Sequence, residues 1–185
     1  MTDWDEKALI AAAQEDPLAF GALYERYVDR IFNYIYHRVG NVHDAEDLTS
    51  RTFFRALSHL GDYRDRGYPF SAWLYRIAHN LVANWHRDRS RRPTIALDEV
   101  VHQNVGEQPP EAATEAHDAA RLLHEIIQGL DPLRRELLAL KFDEELSNAD
   151  IGRILGRSEG AIKSLYHRTL LQLREEMEKR GQDLR

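Results

Sequence analysis

The chain has 185 residues, 43% hydrophobic and 30% charged, with a formal net charge of -6. That suffices for one ordinary domain or two small ones with a charged, helix-suited surface. It has no cysteine, which excludes disulfides, cysteine-ligated zinc, iron–sulfur clusters and thiol switching on this chain.

The first residues, MTDWDEKALIAAAQEDP, are acidic. They lack the basic segment and apolar core of a secretion signal. Trp4, Leu9, Ile10 and Ala13 have helical spacing over residues 3–15, and Pro17 marks a break. A second helix is predicted over residues 17–39, where Phe20, Leu23, Tyr24, Tyr27, Ile31, Tyr34 and Ile35 recur at three- and four-residue steps. Gly40 and Asn41 end it. A third, over residues 42–60, carries Ala45, Leu48, Thr52, Phe53, Ala56 and Leu57. The loop GDYRDRGYP follows, and then a helix over residues 70–89 that is expected to bury Trp73, Leu74, Ile77, Leu81 and Trp85.

Residues 93–113, with Pro93, Pro109, Pro110 and several acids, read as a flexible linker. Helical signal returns at 114–129. Pro132 then opens another helix at a tolerated first-turn position, with Leu133, Leu137, Leu138 and Leu140 behind it. No segment alternates as a strand does, and no apolar run nears the roughly 20 residues of a membrane helix. The expected fold is all-α, with two small helical domains (1–92 and 114–185) joined by a flexible acidic linker (93–113). The expected setting is the cytoplasm.

"SNADIGRILGRSEGAIKSLYHR" (147–168) closes the pattern with two short helices and a turn, the second helix running to about Lys179. Ser147 suits an N-cap, with Asp150 three residues on as an imperfect capping box. Gly156 allows the turn and Ser158 suits the next cap. Ile151, Ile154, Leu155, Ala161, Ile162 and Leu165 are spaced to pack. Lys163, Ser164, His167 and Arg168 fall on the opposite face, where Lys163 and Arg168 suit phosphates or guanine edges. On spacing alone a DNA-reading helix-turn-helix and an ordinary helical hairpin with a solvated basic face are equally good readings.

Charge is segregated. Residues 62–92 hold seven arginines against three acids, and residues 146–174 five Lys/Arg against two acids. Residues 1–50 hold ten acids against four Lys/Arg, and residues 93–125 seven acids against one Arg. Local cations rather than the total govern contact with phosphates, so a negative chain is compatible with DNA binding.

Three stretches resemble bacterial sigma factors of the extracytoplasmic-function (ECF) class, in the sigma-70 superfamily. "DAEDLTSRTFFRAL" (44–57) and "FSAWLYRIAHNLVANWHRDRSRR" (70–92) are similar to region two of that class. "LDPLRRELLALKFDEELSNADIGRILGRSEGAIKSLYHR" (130–168) is similar to region four. The resemblance covers about 11–92 and 114–175. It implies a non-enzymatic promoter-specificity subunit that binds core RNA polymerase, directs it to promoter DNA and helps open it. No cofactor or metal is implied, and a cognate anti-sigma factor is the expected regulatory partner.

By the same resemblance, Asp44, Glu46, Asp47, Leu48 and Phe53 would meet the coiled-coil clamp of the polymerase's largest subunit, although an acidic first turn also suits any helix. Tyr63, Tyr68, Phe70, Arg76, Asn80, Asn84 and Arg87 would read the minus-ten element. The aromatics would stack on or wall an extruded base, the asparagines would meet base edges, and the arginines, with Arg89, Arg91 and Arg92, would neutralise phosphates. Ser158, Lys163, Ser164, His167 and Arg168 would read the minus-thirty-five element as duplex. In this class basic residues are frequent where Leu165, Leu170, Leu171 and Gln172 stand here. The acidic linker would enter polymerase channels.

Two other classes remain in view. A stand-alone helix-turn-helix regulator needs only the C-terminal motif and would bind duplex DNA without polymerase. A metalloprotein is suggested by nine histidines, but the pairs His37/His43 and His79/His86 form no compact ligand set.

Overall fold

The computed structural model describes residues 3–91 and 115–183. Within them are eight α-helices: α1 Asp3–Glu15, α2 Phe20–Val39, α3 Val42–His59, α4 Phe70–Arg91, α5 Glu115–Gln128, α6 Pro132–Phe142, α7 Asn148–Leu155 and α8 Glu159–Asp183. Two compact units divide the chain near residue 100. The expected linker, 93–113, and Arg92 lie outside the described residues, as does the Trp4 side chain. Among the described residues no helix is long and apolar enough to cross a membrane.

In the first unit α2, α3 and α4 pack on one another. Aromatic residues set the contacts. The Phe53 ring of α3 lies 6.3 Å from Phe20 and 4.8 Å from Tyr24 on α2. Tyr34 of α2 meets Tyr75 of α4 edge-on at 5.0 Å, a favoured arrangement of ring quadrupoles. The α2–α3 turn is fixed by Gly40, whose φ of 69° is left-handed and whose N–H bonds to the Tyr36 carbonyl, and by Asn41, which caps α3 by accepting from the Asp44 N–H at 3.0 Å.

The α2 helix starts later than the apolar spacing predicts. Residues Pro17–Ala19 form a 3-10 turn, because the Asp16 carboxylate accepts the Leu18 N–H and Pro17 has none to give. The buried stripe of α4 is also rotated from the expected one. Leu74, Tyr75, Ala78, Leu81 and Val82 are core, whereas Trp73, Ile77 and Trp85 flank it half-buried. Trp73 packs instead on the rings of Tyr63 and Phe70, and Trp85 lies under the Arg89 guanidinium at 5.1 Å.

The α1 helix packs on α2 through Ile10 and Ala13. It also buries a carboxylate, Glu6, which accepts from the Tyr27 hydroxyl and lies 3.9 Å from Arg26. Burial, with the Glu6 hydrogen bond adding to it, pushes the Tyr27 phenol well above the usual tyrosine range.

In the second unit α8 is the spine against which α5, α6 and α7 pack. Asp131 caps α6. Arg134 is 2.9 Å from the Asp131 carboxylate and also donates to the Gln172 side chain of α8. Gln172, where a basic residue is frequent in the resembling class, thus ties α6 to α8. Ser147 caps α7 and donates its hydroxyl to Asp150, whose other oxygen accepts from Arg153 at 2.7 Å. The turn between α7 and α8 needs two glycines. Gly156 has φ 66°. Gly152 lies against the chain as it doubles back, so that a Cβ there would be 2.7 Å from the Arg157 carbonyl oxygen.

Candidate nucleic-acid and partner surfaces

The loop between α3 and α4 begins as a 3-10 turn, Leu60–Asp62. Tyr63 then extends the chain outward. Its ring does not project freely, because it packs 5.3 Å from Phe70 and 5.0 Å from Trp73. Burial, with Asp65 and Glu6 adding negative charge, pushes its hydroxyl up to about 12, so it stays a protonated donor at neutral pH. Asp65 accepts the Gly67 N–H at 2.8 Å, and Gly67 takes φ 76°. That Gly67 bond, then Lys7, holds the Asp65 carboxyl below its ordinary value. Tyr68 is exposed.

The loop and α1 enclose a cleft of about 680 Å³ lined by Glu6, Lys7, Ile10, Gln14, Tyr63 and Tyr68, among others. Phe70 requires a correction. It is 1% exposed, so it does not present a face for stacking on a base. It forms the floor beneath Tyr63, since the first turn of α4 is drawn into the core by Tyr27, 5.9 Å away.

Arg76, Asn80, Asn84 and Arg87 step along one face of α4. Arg76, Asn80 and Arg87 are exposed and Asn84 is half-buried. The Asn84 side-chain oxygen accepts from Arg87 at 2.8 Å. Arg89 is drawn back to α3, 3.7 Å from Asp44, while Arg91 is exposed.

On α3, Asp44 is half-buried and Glu46 and Asp47 are exposed. Asp47 pairs with Arg51 at 3.3 Å, a solvent-exposed pair of little net worth. Leu48 and Phe53 require the second correction. Both are buried in the three-helix core, because they lie on the stripe that meets α2, and neither is available to a partner. The apolar side chains exposed on α3 are Val42, Phe54 and Leu57. Phe54 escaped the sequence reading. The signal was there: Phe53 and Phe54 are adjacent, and helical geometry lets only one of them face a narrow seam.

On α8, Lys163, Ser164, His167 and Arg168 are all exposed and line one shallow depression. The Arg168 guanidinium is held along the helix by a 3.3 Å bond to the Ser164 carbonyl. Ser158 has a different place: its hydroxyl accepts the Ala161 N–H at 3.2 Å and caps α8. Ile162 and Thr169 anchor the opposite side of the helix. The second and third turns of α8 therefore present a polar, cationic strip on a rigid element.

These surfaces belong to a chain with clear relatives. The family profile for Sigma-70 region 2 matches residues 23–92, and that for Sigma-70, region 4 matches residues 120–173. The chain is 41% identical over 153 residues to the ECF RNA polymerase sigma factor BldN of Streptomyces coelicolor, spanning 82% of this chain and 58% of that one. It is 32% identical over 182 residues to the ECF RNA polymerase sigma factor SigW of Bacillus subtilis, spanning 93% and 96%. Two solved structures share the fold. CnrH, in complex with the cytosolic domain of CnrY, has a TM-score of 0.63 at 23% identity, covering 93% of this chain and 96% of that one. The sigma factor RpoE of Bartonella quintana, in complex with the anti-sigma factor NepR, has a TM-score of 0.60 at 20% identity, covering 86% and 96%. With both regions present in order, and with a third of its residues shared with SigW over nearly the full length of both chains, this chain belongs to the sigma-70 family, among the ECF RNA polymerase sigma factors.

Proposed function

We propose that this chain is an alternative sigma factor that docks on core RNA polymerase through α3, reads the minus-ten element with the 61–69 loop and α4, and reads the minus-thirty-five element with the start of α8. The observation that carries this reading is the separation of chemistries in the first unit. The arginine- and asparagine-bearing face of α4 suits a nucleic-acid strand, whereas α3 offers acids beside exposed Phe54 and Leu57, which suits a protein with basic and apolar patches. Its work is positioning rather than covalent chemistry, and it takes place in the cytoplasm with the polymerase.

The charge balance has a role in this reading. The net charge of -6 weakens the binding of the free chain to DNA without forbidding it. Polymerase then holds both units near the promoter, where a high effective concentration replaces intrinsic affinity. An anti-sigma factor that covers the exposed apolar strip of α3 would block the same docking. Two proteins of this fold were solved with partner proteins bound, one of them named as an anti-sigma factor.

The test is in-vitro transcription from a genomic fragment library with core polymerase, with and without the protein. New start sites preceded by a shared two-part element are expected. Duplex binding by the protein alone, with no new transcripts, would replace this reading with a stand-alone helix-turn-helix regulator.

A further inference from the structure

The loop that carries Tyr63 and Tyr68 lies outside any helix, and it is tied to α1 from across the fold. Gln14, 46 and 49 residues away in sequence, donates both amide N–H groups to it, one to the Leu60 carbonyl and one to the Tyr63 carbonyl, each at 2.9 Å. Those carbonyls flank the 3-10 turn from which the loop departs. Two turns earlier on the same face of α1, Lys7 reaches Asp65 at 3.0 Å. The first half of the loop is therefore braced at two places by one helix, which also forms the back wall of the cleft.

The two braces differ in kind. Lys7 and Asp65 are solvent-exposed, and such pairs hold little. Gln14 supplies a directional pair of bonds that fixes the Tyr63 peptide, and so the direction in which the chain leaves toward Tyr68. The fold does not depend on it. The Leu60 carbonyl also accepts the Tyr63 N–H at 3.0 Å, and the Tyr63 carbonyl also accepts from Arg64 at 2.9 Å. Loss of Gln14 leaves neither carbonyl without a partner. What it removes is the tie between α1 and the loop.

We infer that Gln14 is a positioning residue for promoter reading: by clamping the Leu60 and Tyr63 carbonyls it sets the geometry in which the 61–69 loop meets a minus-ten base. This rests on the reading of that loop as a minus-ten reader. A glutamine suits the task because a single nitrogen carries two donors. Glutamate has the same reach and no donor, and asparagine has the donors without the reach.

The experiment compares Gln14→Ala, Gln14→Glu and Tyr68→Ala in complete holoenzyme. Templates carry a start site mapped in the library transcription, with each minus-ten base replaced in turn. The readout is the ratio of transcript from the original to the substituted template, alongside 2-aminopurine fluorescence from the minus-ten non-template strand. Gln14→Ala and Gln14→Glu are expected to lower that ratio by about threefold to tenfold, as loss of one or two hydrogen bonds implies. Polymerase affinity, thermal midpoint and the response to minus-thirty-five substitutions should stay unchanged. Discrimination that survives both Gln14 variants but falls in Tyr68→Ala overturns the role of Gln14 alone. Discrimination that survives all three variants overturns the loop reading on which it rests. An equal loss on every template, with a lowered thermal midpoint, makes Gln14 structural and overturns the inference too.

Discussion

Phe53 and Phe54 are consecutive in α3 and face opposite ways: Phe53 is 4% exposed and Phe54 71%. The first is gripped between Phe20 and Tyr24 of α2. The second stands in solvent beside Leu57, two helical turns from acidic Glu46 and Asp47, with Ser50 between. Truncating them should therefore do unlike things. Phe53→Ala leaves a cavity in the core and should cost about 3–5 kcal/mol of stability. Phe54→Ala should leave the thermal midpoint unchanged and weaken binding to core polymerase about tenfold, the scale of an aromatic interface anchor. Titration of labelled protein against core enzyme, paired with a melting curve for each variant, checks both.

The contrast also shows how far the sequence could be read. Helix positions, the Gly40, Ser147 and Asp131 boundaries and the two-part division follow from local rules: apolar spacing, caps and glycine conformation. Facing is harder. An apolar stripe on a helix is wide enough to admit neighbours on either side, and the choice among them is made by other helices. The family resemblance assigns Leu48 and Phe53 to a partner surface, while the α2–α3 core claims them. Trp73 and Trp85 fit the period of α4, but Tyr75 and Leu81 take the buried seam instead. Least legible are Gln14 and Gly152. Gln14 meets carbonyls more than 40 positions away, and Gly152 sits inside α7 with an unremarkable helical pattern until the chain returns upon it.

Gly152 gives the second prediction. A Cβ at this position would meet the Arg157 carbonyl oxygen at 2.7 Å, while the Ser158 and Glu159 backbone at 3.6 Å would be in ordinary contact. The obstacle is main chain, which cannot rotate away. Gly152→Ala should open the α7–α8 turn at a cost of about 1–3 kcal/mol. Thermal unfolding should show this in the transition of the second unit, and the response to minus-thirty-five substitutions should weaken with it. An unchanged midpoint would mean that the turn relaxes without loss.

His86 makes stability depend on pH in a definite direction. Partial burial, then the positive charge of Arg38, lowers its pKa from the ordinary 6.5, against a hydrogen bond to the Arg38 main chain. In the unfolded chain it protonates near 6.5, and in the folded chain only lower. Above about pH 6.5 both states are neutral and the group has no effect. As pH falls through that value, the unfolded state takes the proton first and folding weakens. His86→Gln removes the proton site, so the loss of thermal midpoint between about pH 8 and pH 5.5 should be smaller in the variant. Identical pH profiles would show that His86 titrates alike in both states.

Lys163 and Arg168 should separate affinity from sequence reading on α8. Both lie on the exposed strip near the helix start, but Lys163 ends in a compact point charge, whereas the Arg168 guanidinium is planar and tethered at 3.3 Å to the Ser164 carbonyl. A point charge suits phosphate, and a held plane suits the paired acceptors of a guanine edge. In holoenzyme, Lys163→Ala should weaken binding to every minus-thirty-five sequence alike and lower the slope of log affinity against log salt by about one. Arg168→Ala should instead relax preference at one base pair by about 1–3 kcal/mol. Binding isotherms at several salt concentrations, on duplexes substituted one base pair at a time, distinguish the two. If both variants change only the salt slope, the two side chains contact only the backbone and the bases are read from elsewhere on α8.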